Sequence, residues 1–243
     1  MAWRVWTHFL GGVAQGGLLF PRLSKPQRDR RVQKWARKML RRLGIELKIV
    51  GAPAPAGPLL LVSNHVSWVD ILALHAVCPC RFVAKADVEH WPLVGTLVTG
   101  GGTLYVKRES QRDAMRVVIR MAQALKDGDI LAVFPEGTTS DGSSMLPFHS
   151  GLIQAAISAD APVQPVALQI VNGRTGRPSR AASYMGDESL AGSIWRTLCA
   201  RELCAVVTFG APQRAAGRDR RAWTQDLQNE IAAIRSREAL RSP

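Results

Sequence analysis

Residues 64–70 hold a histidine and an aspartate at a spacing that suits proton transfer. His65 and Asp70 stand five residues apart, directly after the apolar run 59–62. On one regular helix a five-residue step turns about 500°, so the two side chains would point about 140° apart. They meet if His65 lies in a turn after a strand and Asp70 lies in the first turn of a helix that Ser67 caps. The carboxylate would then fix the imidazole tautomer and leave one ring nitrogen to accept a proton from a hydroxyl group.

The same residues also have a purely structural interpretation. Ser67 and Asp70 fit the capping box of a helix, in which Asp70 only complements the helix dipole and His65 is a loop residue. The pair alone does not decide between the two interpretations. Other motifs have to do so.

Two further polar clusters follow strand-like runs. Residues 134–140 read Phe-Pro-Glu-Gly-Thr-Thr-Ser after the run 130–134, and the backbone N–H groups of such a turn can form an anion-binding nest. Lys107 and Arg108 follow the strand candidate 103–106, where a point charge and a planar guanidinium suit a phosphate. Each cluster alone fits a turn or a solvated edge. Three clusters at three strand ends favour a functional site.

On these motifs the chain resembles the glycerolipid acyltransferases, specifically the bacterial 1-acylglycerol-3-phosphate acyltransferases. Residues 64–70 resemble the first motif of the family, which is a histidine, four variable residues and an aspartate. Residues 102–108, 134–140 and 163–167 are similar to its second, third and fourth motifs, the last being an apolar strand with a central proline. The four motifs occur in the expected order between residues 57 and 168.

This resemblance implies the transfer of a fatty acyl group from acyl-CoA or acyl carrier protein to the free hydroxyl of lysophosphatidic acid, which gives phosphatidic acid. His65 would be the base, and Asp70 would orient it and stabilise the imidazolium. Glu136 would organise the pocket, for example by pairing with Arg108. The expected substrate-binding residues are Lys107, Arg108, Glu136, Gly137, Thr138 and Thr139.

The expected reaction is a direct transfer. The chain has no Gly-x-Ser-x-Gly elbow to supply a serine nucleophile, and the hypothesis requires neither a cofactor nor a metal. Another lysolipid, such as lyso-ornithine lipid, is an alternative acceptor. A non-catalytic lipid-binding module of the same fold is a second alternative, but it would not need a base and its orienting partner.

The elements that must position these residues alternate along the chain. Because 243 residues with 47% hydrophobic content suffice for one substantial core, the pattern predicts a single α/β domain with a mixed, roughly seven-stranded sheet flanked by helices. The strand candidates are 45–50, 59–62, 81–83, 103–106, 130–134, 163–170 and 205–209. The clearest helix, 111–126, is predicted to bury a stripe of Met115, Val118, Ile119, Ala122 and Leu125. A C-terminal helix, 218–240, is predicted to pack on the core through Trp223, Leu227, Ile231 and Ile234.

Positive charge is concentrated near the amino terminus. The net charge is +13, and residues 22–42 contain ten Lys or Arg residues and one acid. Apolar residues recur there at helical spacing, so the segment is a basic amphipathic helix. We expect it to bind an anionic membrane surface with its apolar stripe in the interface. A helix docked on the domain with a solvated basic face is the alternative. No nucleic-acid motif accompanies the charge, so nucleic acid is not an expected partner.

The first residues suggest a membrane anchor. Residues 5–20 are mostly apolar but are interrupted by Thr7, His8, Gln15 and four glycines, which favours a monotopic or re-entrant anchor over a bilayer span. A cleaved signal peptide is the rival, although no convincing cleavage site follows. We therefore expect a membrane-associating segment over 1–44, an acyltransferase domain over 45–243, and a peripheral or monotopic location on the cytoplasmic face of the inner membrane. The four cysteines lack zinc-site spacing and are expected to be buried, reduced thiols.

Overall fold

A computed structural model describes residues 2–106, 110–186 and 188–240. Within these ranges seven strands form one mixed sheet, which confirms the predicted α/β fold. The strands are β1 (Ile45–Val50), β2 (Leu59–Ser63), β3 (Arg81–Lys85), β4 (Leu104–Val106), β5 (Ile130–Val133), β6 (Val163–Asn172) and β7 (Leu203–Phe209). Each matches one of the seven strand candidates to within two residues at either end.

The order of strands across the sheet is β1-β7-β6-β2-β5-β3-β4. Strands β6, β2, β5, β3 and β4 are mutually parallel, whereas β7 is antiparallel to β6 and parallel to β1. The carboxyl ends of the five parallel strands therefore meet at one edge of the sheet. The polar segments that follow β2 and β5 meet there, and β4 ends there at Val106.

Helices cover both faces of the sheet. In the described ranges they are α1 (Ala2–Ala14), α2 (Lys25–Leu43), α3 (Trp68–Val77), α4 (Val94–Gly100), α5 (Gln111–Lys126), α6 (Ile153–Ala159), α7 (Leu190–Cys199) and α8 (Arg220–Leu240). One apolar core lies between the sheet and α2, α3 and α7, and the other lies between the sheet and α5, α6 and α8. A π-helical turn over Gln15–Leu19 and 3₁₀ turns over Phe20–Arg22 and Ala86–His90 complete the helical elements.

The apolar stripe of α2 packs inside the protein. Ala36, Met39, Leu40 and Leu43 are buried in the same core as α3. The expectation that this stripe enters a membrane interface is therefore wrong, because the apolar face of α3 covers it, and the docked alternative is correct. Most of the cations of α2 remain on its exposed face. No helix of the described ranges combines the length and apolar character needed to cross a bilayer.

The predicted buried stripe of α5 is partly wrong. Met115 and Ile119 are 62% and 61% exposed, whereas Val117, Met121 and Leu125 are buried. The helix is rotated relative to the prediction, because the side that packs against α6, β4 and β5 carries Val117, Met121 and Leu125. By contrast α8 packs as predicted, with Trp223, Leu227 and Ile231 fully buried and Ile234 partly buried.

Three of the four cysteines are buried and one is not. Cys78, Cys80 and Cys204 lie in the core, whereas Cys199 is exposed at the end of α7, and all four are free thiols. The expectation of burial is therefore wrong for Cys199, because this residue lies on the outer face of its helix. Burial raises the pKa of the Cys78 thiol to about 11, so this thiol stays protonated at neutral pH.

Candidate active site

The His65 and Asp70 side chains are in contact. Strand β2 ends at Ser63, and α3 begins at Trp68 after the N-cap Ser67, so His65 lies in the connecting turn and Asp70 in the first helical turn. The His65 Nδ1 atom is 2.8 Å from Asp70 Oδ2. The geometry that the spacing predicts is therefore present.

Asp70 also serves as the capping residue of α3. Its Oδ2 accepts hydrogen bonds from the backbone N–H groups of Val66 and Ser67 at 2.6 and 2.8 Å, and Ser67 Oγ accepts one from Val69 N–H at 3.2 Å. The two interpretations of this segment are thus compatible, because one carboxylate oxygen holds both the helix start and the imidazole. Asp70 is fully buried, and its Oδ1 has no hydrogen-bond partner among the described residues.

The imidazole of His65 is fixed by a second contact. Its ring stacks on Phe134, the residue after β5, with centroids 3.8 Å apart and planes 6° from parallel. The carboxylate favours a proton on Nδ1, which leaves Nε2 as the unprotonated nitrogen of the neutral ring. Within the described ranges Nε2 makes no hydrogen bond, and 16% of the side chain is exposed. Nε2 is therefore available to take a proton from a bound molecule.

Glu136 holds the backbone around His65. Its Oε1 accepts a hydrogen bond from His65 N–H at 2.6 Å, and its Oε2 accepts one from Leu146 N–H at 2.8 Å. Burial raises the pKa of Glu136, and the two backbone N–H donors oppose that rise. Because both oxygens are occupied in a side chain that is 3% exposed, this geometry supports an organising role and not direct contact with a substrate.

Asn64 and Ser140 lock the same turn to its neighbours. Asn64 pairs with the backbone of Leu168 in β6, donating to its carbonyl at 2.9 Å and accepting from its N–H at 2.8 Å. The N–H of Ser140 donates to the carbonyl of His65 at 2.9 Å. Sequence reasoning gave no role to Asn64. An asparagine directly after a buried strand is the signal that could have identified it.

The loop 137–140 is only partly available as an anion-binding nest. The N–H of Gly137 donates to the Phe134 carbonyl and that of Ser140 donates to His65, so these two groups are already used. The hydroxyl of Thr139 donates to the carbonyl of Tyr184. Thr138 is exposed, and among the described residues the N–H groups of Thr138 and Thr139 have no backbone partner. The predicted nest is thus reduced to these two amides.

Lys107 and Arg108 lie outside the described residues. Val106, which precedes them, ends β4 at the edge of the sheet, three strands from β2. With strands about 4.8 Å apart, the carboxyl end of β4 is roughly 14 Å from that of β2. The predicted pairing of Glu136 with Arg108 also falls outside the described ranges.

Arg235 is a residue near the site that sequence reasoning missed. It lies on α8, distant along the chain, and its guanidinium donates to the carbonyl of Gly142. Burial lowers its pKa, whereas the nearby carboxylates of Glu136 and Asp141 raise it. Its Nε is buried without a hydrogen-bond partner in the described part of the chain. In that same part, no cluster of three or more His, Cys, Asp or Glu side chains could hold a metal ion.

Comparison with known proteins identifies relatives over most of the chain. The model of the Acyltransferase family matches residues 46–169. A lyso-ornithine lipid O-acyltransferase from Pseudomonas aeruginosa is 36% identical over 206 residues, which covers 85% of this chain and 78% of that protein. A 1-acyl-sn-glycerol-3-phosphate acyltransferase from Neisseria meningitidis is 37% identical over 210 residues, which covers 85% of this chain and 81% of that protein.

A solved structure shares the fold. The crystal structure of the 1-acyl-sn-glycerophosphate acyltransferase from Thermotoga maritima superposes with a TM-score of 0.59 at 18% identity and covers 85% of this chain and 79% of that chain. At this identity the similarity bears on the architecture of the sheet and helices alone.

Proposed function

Because the chain belongs to the acyltransferase family, we propose that it transfers a fatty acyl group from an acyl thioester to the free hydroxyl of lysophosphatidic acid. The products are phosphatidic acid and the free thiol of coenzyme A or acyl carrier protein. His65 and Asp70 perform the proton transfer, and no cofactor takes part.

In the proposed mechanism Nε2 of His65 takes the proton of the acceptor hydroxyl while the oxygen attacks the thioester carbonyl carbon. The tetrahedral intermediate collapses, the carbon–sulfur bond breaks, and the imidazolium returns its proton to the departing thiolate. Asp70 stabilises the imidazolium through Nδ1–H, and stacking on Phe134 keeps the ring in one orientation. The observation that carries this proposal is the open Nε2 of a histidine whose other nitrogen is held by a buried carboxylate.

Some of the remaining site residues bind the acceptor in this proposal, and the others shape the site. We assign the phosphate of lysophosphatidic acid to Lys107 and Arg108, with the amides of Thr138 and Thr139 as further donors and Gly137 as the residue that allows the turn. Gly137 has a φ of +74°, which an amino acid with a side chain rarely adopts. Glu136 keeps the His65 turn in register with the loop that follows Leu146.

A second acceptor deserves the same test. Lyso-ornithine lipid is the substrate in the name of the Pseudomonas aeruginosa relative, which is as similar to this chain as the Neisseria meningitidis relative is. An ornithine headgroup has no phosphate, so cations at the end of β4 would contribute less to its binding. The pair Lys107 and Arg108 therefore favours lysophosphatidic acid.

We also propose that residues 1–44 hold the protein on the cytoplasmic face of the inner membrane. Trp3, Trp6 and Leu18 are 75%, 49% and 71% exposed, and amphipathic aromatic side chains favour the membrane interface. The exposed cations of α2 would add attraction to anionic lipids. Mutual hydrogen bonds between His8 and Trp35 join α1 to α2, so the two helices would bind the membrane together.

The test is a product analysis with purified protein. Lysophosphatidic acid, lyso-ornithine lipid and other lysolipids are each supplied with acyl-CoA or acyl carrier protein as donor, and the products are identified by mass. We expect phosphatidic acid from wild type and a loss of at least about 10²-fold in His65→Ala, the usual scale for loss of a general base. Faster acylation of lyso-ornithine lipid would replace the proposed acceptor. Wild-type turnover in folded His65→Ala would exclude the mechanism.

A further inference from the structure

A groove opens beside the His65 turn on the β6 side of β2. Its volume is about 780 Å³, which lies within the usual range for small-molecule sites. Its walls are the end of β6, the loop 141–145 and the outer part of α8. We refer to it as the β6–α8 groove.

The groove begins at the immediate neighbours of His65. Val66 and Leu168 both line it, and Leu168 is held to Asn64 by the paired hydrogen bonds described above. From there it follows α8 from Gln228 to Ser236, about 12 Å along the helix axis. A molecule lying in the groove would thus have one end next to the base and the other at the surface.

The groove and the end of β4, where we place the acceptor phosphate, lie on opposite sides of β2 and therefore of His65. Lys107 and Arg108 follow β4, which lies beyond β5 and β3 on one side of β2. The groove lies on the opposite side, where β6 pairs with β2. A direct transfer needs both substrates to be bound next to the base at the same time. If the acceptor phosphate binds near the end of β4, the groove is therefore the side of the site from which the donor can reach His65.

Charge in the groove also disfavours a phosphate of the acceptor. Carboxylates offset the cations on its walls. Arg180 pairs with Asp141 at 2.6 Å, and Arg235 donates to the carbonyl of Gly142 and feels the charges of Glu136 and Asp141 without an ion pair in the described ranges. The remaining polar groups are neutral amides and hydroxyls, among them Gln228, Asn229, Ser144 and Ser179. Such a lining suits a chain of amide groups better than a dianion.

We propose that the β6–α8 groove binds the 4′-phosphopantetheine arm that coenzyme A and acyl carrier protein share. This inference rests on the proposed function. The amides of the arm would contact the neutral polar side chains, and the thioester would reach the base past Val66. The phosphate of the arm would stay outside the groove, at the protein surface.

The test fills the groove with a large side chain. Ala232 is an exposed position of α8 that lines the groove, so Ala232→Trp blocks it. Ser144→Trp blocks the groove from the opposite wall. This second variant provides the test if Ala232→Trp does not fold. Ala222→Trp is the matched control, because Ala222 is exposed on the same helix and does not line the groove.

Initial rates are measured with acyl-CoA, with acyl carrier protein and with an acyl-N-acetylcysteamine thioester, which lacks most of the arm. We expect the blocking variants to raise the KM of the carrier donor that wild type uses at least tenfold. The KM of the lysolipid and the rate with the truncated thioester should stay unchanged, as should all values for Ala222→Trp. The donor whose KM rises identifies the source of the arm.

Three outcomes would overturn the proposal: an unchanged KM for both carrier donors, a rise in the KM of the lysolipid alone, or an equal loss with the truncated thioester. If wild type acylates no lysolipid, the proposed function fails. The groove is then tested by calorimetric titration of coenzyme A and of acyl carrier protein into wild type and Ala232→Trp. Equal affinities for the two proteins, or no binding to wild type, would reject it.

Discussion

At the residue scale, one carboxylate oxygen performs two tasks. Asp70 Oδ2 accepts hydrogen bonds from His65 Nδ1 and from the backbone at the start of α3. The orientation of the His65 ring is therefore tied to the start of α3, since the same oxygen holds both. Phe134 and Glu136 add constraints from the neighbouring strand. Such preorganisation is what a general base needs when its reaction depends on accurate placement of a hydroxyl.

Asp70→Asn separates these two tasks. An amide keeps the shape of the side chain but stabilises the imidazolium poorly and alters the tautomer, so we expect turnover to fall at least about 10²-fold. Ser67→Ala is the matched control, because it removes the hydrogen bond to Val69 and leaves the histidine contact in place. It should cost about 0.5–2 kcal/mol of stability. Turnover per folded molecule and the thermal unfolding temperature are measured for both variants, and together they distinguish loss of catalysis from loss of stability. Equal turnover in the two variants would leave Asp70 with a capping role alone.

Arg108→Ala tests phosphate recognition apart from proton transfer. Loss of a charge-assisted contact is worth about 1.5–3 kcal/mol, so we expect kcat/KM for lysophosphatidic acid to fall roughly 10- to 150-fold. Arg108→Lys should recover part of the loss, because it keeps the charge but not the planar fork.

A monoacylglycerol, which has neither a phosphate nor a carboxylate, is the control acceptor for Arg108. The rate at which wild type acylates this acceptor should be nearly unchanged in Arg108→Ala. Equal losses on the two acceptors would indicate that Arg108 supports the fold of the site, and the phosphate would then have to bind at the Thr138 and Thr139 amides.

At the element scale, α2 combines a buried apolar face with an exposed basic one. The buried face joins the core that also contains α3, the helix whose first turn holds Asp70. Arg37 and Gln33 of α2 donate hydrogen bonds to the carbonyls at the end of α3 at 2.6 and 2.8 Å. If α2 binds the membrane surface as proposed, it would in this way set the position of the His65 turn relative to the lipid.

Neutralising the exposed cations of α2 tests this role. Replacing Arg30, Arg31, Lys34 and Lys38 by glutamine leaves the buried face intact. Each cation near an anionic surface contributes about 1 kcal/mol, so partition onto anionic vesicles should fall at least about 10²-fold. Sedimentation with vesicles at increasing salt measures the effect, and salt should weaken the binding of wild type.

The matched control for α2 removes the same charge elsewhere. Arg120, Lys126, Arg201 and Arg221 are exposed cations outside α2, and their replacement by glutamine should change vesicle binding little. If both variants lose binding equally, net charge and not the face of α2 governs attachment.

At the scale of the whole molecule, the sheet assembles one reaction centre from distant segments. The five parallel strands end at the same edge, with the base after β2, the proposed phosphate site after β4 and the β6–α8 groove on the other side. In the proposed mechanism this arrangement would let both substrates bind at the same time and would leave His65 free to act on the acceptor while the donor is present.

The kinetic consequence is a ternary complex. We expect initial-rate plots at several fixed concentrations of lysophosphatidic acid to converge, and mass spectrometry of the enzyme mixed with donor alone to show no acylated protein. Parallel plots together with an acyl adduct would demonstrate a covalent intermediate and contradict direct transfer.

Local sequence determined a large part of this structure. All seven strands and α5 were predicted because apolar runs and helical periodicity depend on neighbouring residues. The contact between His65 and Asp70 followed for the same reason, since five residues of chain and one helix cap fix its geometry.

Only the tertiary structure decided which elements each apolar or polar face contacts. The apolar stripe of α2 is compatible with a membrane or with α3, and only the packing showed that α3 covers it. Three other features depend on which strands and helices are neighbours in space. They are the exposure of Met115 in α5, the stacking of His65 on Phe134 and the hydrogen bond of Asn64 to Leu168. Residues 64 and 168 are 104 positions apart. A local pattern carries no information on such a contact, because it is set by the order of strands in the sheet.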